Sequence, residues 1–205
     1  GRASRARRTR SACGNARSRS WATTSSCGGT RGAGRRRYSR GDRRHTGRNG
    51  IVPKYWMVTQ GPEIFGKTRE LGCSRHAFKS TRSKMVYRIE AGDALVFYVT
   101  GKKQIAGAVR VTSGIVEEST RIWQSSKKPD ELYPFRVDTE PLVELDEEQW
   151  LDAEPYHDRM EWTQRWPREH WTLAYQGNLR EIPEGDFEVL LADLQEAAQK
   201  APAKA

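Results

Sequence analysis

The sequence predicts an α+β fold: a small mixed β-barrel flanked by short helices. Residues 51–205 hold several short apolar runs of strand character, separated by turn residues. Helical periodicity is confined to a few short stretches and one longer C-terminal stretch. No strand–helix–strand rhythm points to a parallel sheet. There is no internal repeat and no sign of a second domain.

The elements follow in order. Tyr55-Trp56-Met57-Val58 reads as a first core strand. Gly61-Pro62-Glu63 resembles a helix start, with proline at the first helical position and an acid in the first turn. Ile64, Phe65, Thr68 and Leu71 follow at helical spacing, and Gly72 suits the stop. Met85, Val86 and Ile89 predict another short helix. Glu90-Ala91-Gly92-Asp93 then turns the chain into Ala94–Val99, a buried strand. Thr100-Gly101-Lys102-Lys103 reads as a hairpin turn leading into a partner strand, Gln104 to Thr112. Gly107 inside that strand marks a bulge or a close backbone approach. Tyr133 to Val143 alternates as a long strand, and Pro134 and Pro141 place it at an edge or bend it. Asp146 to Trp150 predicts a helical turn, Pro155 to Arg165 a short helix, and Leu173-Ala174-Tyr175 a final short strand. Asp186 to Gln199 is the best helix, with Phe187, Leu190, Leu191 and Leu194 on one stripe.

Charge divides the chain. Residues 1–50 hold fifteen arginines, no lysine and a single acid, Asp42, for a net +14, which leaves −4 for residues 51–205. The first segment contains no Leu, Ile, Val or Phe, so it cannot offset its chain entropy by burial, and residues 1–52 read as disordered. An Arg-rich arm that grips phosphates is one reading. Composition favours another, translation of GC-rich DNA upstream of a misassigned start, with the compact domain beginning after Val52. The domain then spans 53–199, and 200–205 form a disordered tail.

Three cysteines, Cys13, Cys27 and Cys73, do not make a disulfide framework. Cys73 and His76 supply only two ligands, which is not a zinc site. No apolar run reaches the length of about 20 residues that spans a membrane, and no signal-peptide core is present. The expectation is a cytoplasmic monomer with no cofactor and no membrane partner.

Catalytic motifs are missing: there is no Gly-x-Ser-x-Gly elbow, P-loop or GxGxxG. His157-Asp158 reads as a solvated helix face and His170 as a structural histidine. The aromatic residues are more telling. Residues 51–205 carry six Trp, six Tyr and five Phe. Phe97, Tyr98 and Phe187 sit on apolar stripes and read as core. Trp56, Trp123, Trp166 and Trp171 adjoin polar or turn sequence. Trp162 to Pro183, WTQRWPREHWTLAYQGNLREIP, concentrates them. Pro167 prevents this stretch from being one helix and moves Trp166 off helical angles, so at least one ring is presented from irregular backbone. Aromatic rings stack on planar bases, for roughly 1–3 kcal/mol per base. Nearby amides such as Gln176 and Asn178 suit either reading of a base edge or capping of a turn, and Lys79 and Ser80 suit a phosphate.

Together these segments resemble a known family. Tyr55-Trp56-Met57-Val58 opens it, followed by Phe78-Lys79-Ser80, the hairpin Ala91–Gly101, and Ile105-Ala106-Gly107-Ala108. Ile122-Trp123, Tyr133-Pro134-Phe135-Arg136-Val137 and Val143–Glu148 continue the pattern. Arg165-Trp166-Pro167, His170-Trp171 and Gln176–Pro183 close it. Their order over residues 53–190 resembles an EVE domain of the PUA-like superfamily, related to the YTH readers of methylated adenine. The resemblance implies a β-barrel flanked by helices, no enzymatic activity, and recognition of a modified base in DNA or RNA. It also implies a bacterial setting in modified-DNA defence or RNA-modification biology. The base-binding residues inferred here are Trp56, Lys79, Ser80, Tyr98, Trp123, Trp166, Trp171, Gln176 and Asn178. The domain charge of −4 argues for a local basic rim (Lys79, Arg82, Lys84 and Arg136) rather than broad phosphate tracking. The main rival is a PUA-like enzyme of the ASCH type, a nuclease or hydrolase. Its Gly-x-Lys-x-x-Glu-x-Arg pattern fails here, because Lys67 directly follows Gly66 and the arginine after Glu70 is missing. A third class is an accessory subunit that binds a protein or a small molecule.

Overall fold

The computed structural model describes residues 52–200. Expectations for the Arg-rich segment before Val52 and for the tail after Lys200 lie outside the described residues.

The apolar run predicted as a first strand is β1 (Tyr55–Gln60). The Gly-Pro start initiates α1 (Pro62–Glu70), and Gly72, at φ +61°, follows it in the left-handed region open to glycine. Next come β2 (Arg75–Phe78), α2 (Ser83–Val86), β3 (Ala94–Val99) and β4 (Gln104–Val111). The remaining strands are β5 (Val116–Glu117), β6 (Phe135–Glu144), β7 (Leu151–Asp152) and β8 (Leu179–Ile182), and α3 (Glu184–Gln199) ends the domain.

The strands form one curled sheet in the order β2-β6-β4-β3-β1-β8, with β5 added on β6 and β7 on β4. β1 and β3 run parallel, Tyr55 opposite Ala94 through Gln60 opposite Val99, and the other pairs are antiparallel. Every residue of β3 is buried, as a strand covered on both faces requires. Gly107 lies between two register shifts of β4, one against β3 and one against β6. A Cβ at Gly107 would stand 2.6 Å from the Val143 carbonyl oxygen, so the approach of β6 demands glycine. Such bulges sharpen strand bending and curl the sheet into a half-barrel. Pro141 falls at the second shift, where the ladder needs no donor from it.

α3 lays Phe187, Leu190 and Leu194 on the sheet, with Leu191 partly buried beside them, and Phe187 stacks on Tyr55 at 4.4 Å. Two expectations are corrected. Leu173-Ala174-Tyr175 is not a strand: it ends a kinked 3-10 segment, Arg168–Tyr175, and the last strand lies downstream at β8. Pro155 to Arg165 is not one helix but two 3-10 turns, Glu154–Asp158 and Thr163–Arg165. Short apolar stretches fit several local conformations, and tertiary pairing decided between them.

Candidate functional site

A cavity of about 400 Å³ opens where β1 ends. Its walls come from Gln60 to Ile64, from Thr100-Gly101 in the β3–β4 turn, from Lys79 after β2, and from a loop carrying Ser125, Lys127, Lys128, Glu131 and Tyr133. The local sequence explains the shape. Gly61 is the N-cap of α1 and offers no side-chain cap, and Pro62 has no N–H to satisfy. The positive end of the helix dipole therefore meets the cavity uncapped.

Gln60 is the unusual residue. Its backbone carbonyl accepts from Thr100 N (2.8 Å) and Thr100 Oγ1 (3.1 Å), which fixes the residue against β3. Its side chain is 5% exposed, yet neither Oε1 nor Nε2 has a hydrogen-bond partner. An unpaired buried amide costs about 1–3 kcal/mol. Arg82 Nε, Arg136 Nε, Trp162 Nε1 and Asn178 Oδ1 are also buried without a partner, but Gln60 has both of its side-chain polar atoms unpaired.

The charged groups around it are already engaged. Glu131 accepts from Lys79 (2.9 Å) and from the Tyr133 hydroxyl (2.8 Å). Burial pushes its carboxyl upward, but these bonds outweigh burial and hold it below the usual range. Tyr133 is shifted up by burial and by Glu131. Glu63 accepts from Ser126 N at 2.8 Å and from Ser126 Oγ, which clamps the loop to α1 and lowers its carboxyl pKa. Lys127 and Lys128 are exposed on the rim.

Under the cavity lies a small core of Ile64, Ala77, Trp123 and Tyr133. The Trp123 indole N–H donates to Thr68 Oγ1 (3.1 Å), which shares a hydrogen bond with His76 Nδ1 (2.9 Å). Burial keeps His76 neutral, with its pKa lowered to about 3. The Arg136 guanidinium lies 5.3 Å from the centre of the Trp123 ring and pairs with Glu118.

The expected site residues therefore do not form one cage. Lys79 lines the cavity, Trp123 supports it from a neighbouring hollow of about 120 Å³, and Ser80 is exposed beside it, its N–H bonded to the Leu132 carbonyl. Trp56 is corrected: it is 0% exposed and donates to Asp93 Oδ2 (2.8 Å), so it belongs to the core. Arg136, at 1% exposed, is buried and cannot form part of a basic rim.

The other expected residues gather elsewhere. Tyr98 stacks on Tyr175 at 4.3 Å, and with Gln176 both line a groove of about 460 Å³. Trp171 packs edge-on against Tyr175 and borders a cleft of about 620 Å³. Trp166, half-buried, lies under the Arg180 guanidinium at 5.0 Å. Asn178, at φ +66°, donates through Nδ2 to Thr59 O (2.9 Å), and its backbone carbonyl accepts from Thr59 N (2.7 Å), so side chain and backbone together pin the start of β8 to β1. His157, expected on a solvated face, is held between Asp158 and the Trp166 carbonyl, and His170 is exposed rather than packed.

Gln60, Tyr133, Lys127 and Lys128 were not foreseen. One signal for Gln60 existed: it is the amide that closes an apolar strand directly before a Gly-Pro helix start. Among the described residues, no group of three or more His, Cys, Asp or Glu is placed to hold a metal ion, and no helix is long and apolar enough to cross a membrane. Cys73 is buried, and burial followed by Glu144 pushes its thiol up to about 12.

Known proteins share this architecture. The EVE domain model matches residues 54–192. UPF0310 protein PH1033 of Pyrococcus horikoshii is 26% identical over 145 residues, covering 66% of this chain and 88% of its own. Among solved structures, a YTH domain-containing protein mmi1 and RNA complex superposes with a TM-score of 0.53 at 13% identity, covering 72% of this chain and 85% of that one. The Mmi1 YTH domain crystal structure gives 0.52 at 13% identity, over 72% and 92%. At such identities these neighbours establish the fold, a curled mixed sheet with short helices of the YTH and PUA-like kind. With a family match over more than half of its length, this chain belongs to the EVE domain family.

Proposed function

We propose that the domain is a non-enzymatic reader that holds a modified nucleobase of DNA or RNA in the Gln60 cavity. The unpartnered Gln60 carboxamide carries the reading. It offers one donor and one acceptor side by side, the complement of a base edge. Both atoms are shielded in the free protein, so a base would satisfy them as the carboxamide turns into the cavity, converting a stability cost into binding energy. Tyr133 adds an aromatic surface, and the uncapped start of α1 adds positive potential for a base carbonyl. Pro62 and Ile64 give an apolar wall for a methyl mark, each buried methyl group being worth about 0.8 kcal/mol, or roughly fourfold in affinity.

Binding is favoured over catalysis because both cavity carboxylates, Glu63 and Glu131, are held ionised by hydrogen bonds rather than poised near neutrality. The mmi1 neighbour is a complex with RNA, which fits a nucleic-acid ligand here. A domain charge of −4 suits an unpaired or flipped base better than a continuous duplex. A bacterial, cytoplasmic role in modified-DNA defence or RNA modification remains part of the proposal.

The test is a titration of short DNA and RNA strands carrying methylcytosine, hydroxymethylcytosine, methyladenine or no mark, against the wild type and Gln60→Leu. The expected result is mark-dependent binding that weakens at least about tenfold in a folded Gln60→Leu protein. Tight binding blind to the mark, or indifference to Gln60→Leu, overturns the reading.

A further inference from the structure

The Gln60 cavity is the first of three adjoining depressions. It shares Thr100 and Gly101 with the groove floored by Tyr98 and Tyr175. That groove shares Lys103 with the cleft bordered by Trp171. The connecting ridge is the β3–β4 turn, whose crest residue Gly101, at φ +84°, adds no side chain and leaves the space above it open.

We infer that a single strand leaves the Gln60 cavity across Gly101 and that a flanking base stacks at Trp171 beside Lys103. This rests on the proposed reader function and extends its ligand from one nucleotide to a short unpaired strand. Lys103, held at φ +60° in the turn, brings Nζ within 5.9 Å of the centre of the Trp171 ring. Lys102 is tied to Glu147, and Arg168 to Asp158 and Glu154. Lys103 forms no ion pair among the described residues, so its ammonium can turn from the Trp171 ring to a phosphate as a base takes its place there. The cleft also contains Asp152, Glu154 and Asp158, which disfavour a dense phosphate backbone. Stacking on an aromatic ring, with one cation for one phosphate, is the contact such a surface supports. A duplex would bring a second row of phosphates against these acids.

The experiment compares a marked mononucleotide with five-nucleotide ribo- and deoxyribo-strands carrying the same mark centrally. Wild type, Lys103→Ala and Gln60→Leu are titrated with each. A 2-aminopurine flanking the mark, on either side, reports stacking through its fluorescence. The strand is expected to bind at least about fivefold tighter than the mononucleotide, the gain from one stacked base. Lys103→Ala should remove part of that gain and leave mononucleotide affinity unchanged, and 2-aminopurine should be quenched on one side of the mark only. Strand affinity that responds to Gln60→Leu but not to length or to Lys103→Ala overturns the strand path and leaves the reader function standing. Strand affinity indifferent to Gln60→Leu overturns both. The ribo- and deoxyribo-strands identify which polymer is preferred.

Discussion

The Gln60 cavity and the tryptophan-rich segment solve opposite problems. The segment holds Trp162, Trp166, Trp171 and Tyr175 and spends their rings largely on one another: Trp162 meets Tyr175 at 5.1 Å and Trp166 at 6.2 Å, both near edge-to-face. Its polar groups are mostly matched, with Asp186 accepting from the Glu161 and Trp162 amides and Thr163 Oγ1 within reach of three carbonyls. The cavity has fewer rings and one unmatched amide. Both regions hold a buried polar atom without a partner, Trp162 Nε1 in the segment and the Gln60 carboxamide at the cavity, but only Gln60 leaves both of its side-chain polar atoms unmatched and lines a cavity that a ligand could enter.

The largest expected effect follows from the packed side. Trp162 is 1% exposed, and Trp162→Ala should cost about 3–5 kcal/mol in chemical denaturation, with base binding lost only as the protein unfolds. Retained stability together with lost binding would give Trp162 a ligand role and break the contrast.

Acid should act on the two regions with opposite sign. Unfolded, His76 takes up a proton near 6.5; folded, it does so only near about 3. Between these values the unfolded chain binds more protons, so stability falls as pH drops through that window, by about 2–3 kcal/mol at pH 4.5. His157 behaves inversely. The Trp166 carbonyl and Asp158 raise its pKa, so its contribution is complete below 6.5 and is lost as pH climbs through the folded value. Denaturation midpoints measured from pH 4 to 8 for His76→Gln and His157→Gln separate the two. His76→Gln should flatten the acid limb, and His157→Gln the slope above pH 6.5. The same slope in both variants would refute the assignment.

Much of the fold was legible because local signals agreed with tertiary ones. Gly61-Pro62-Glu63 starts α1, the Phe187–Leu194 stripe is buried, and Gly107 marks a bulge because β6 leaves no room for a Cβ. Leu173–Tyr175 was misread because its apolar residues pack from a 3-10 segment, a period that three residues cannot reveal. The site was less legible. Trp56 and Trp123 adjoin polar sequence, yet their indole nitrogens find Asp93 and Thr68, partners 37 and 55 residues away. Gln60 is significant only because it lacks a partner, and sequence cannot show what fails to approach a side chain.

Removing that amide should help the free protein. Gln60→Leu replaces an unpaired buried polar group with an apolar one of similar volume and should stabilise the fold by about 1–2 kcal/mol. Thermal denaturation reads this directly. The Gln60 backbone bonds to Thr100 persist in the variant, so a loss of stability would mean that the carboxamide has a structural partner, and the contrast between the regions would weaken.

The smallest stability effect belongs to the rim. Lys127 and Lys128 are exposed and form no ion pair among the described residues, so replacing both by alanine should change stability by less than about 0.5 kcal/mol. Their effect should appear only in binding. If both meet phosphates of an unpaired strand, the slope of log affinity against log salt should become shallower by about 1.4, with the preference for the mark unchanged. A slope unchanged within error would place the phosphates away from this loop. A changed mark preference would instead give these lysines a part in reading the base, because phosphate contacts act on every strand alike. Measured beside Gln60→Leu, the pair divides affinity between charge at the rim and recognition at the wall.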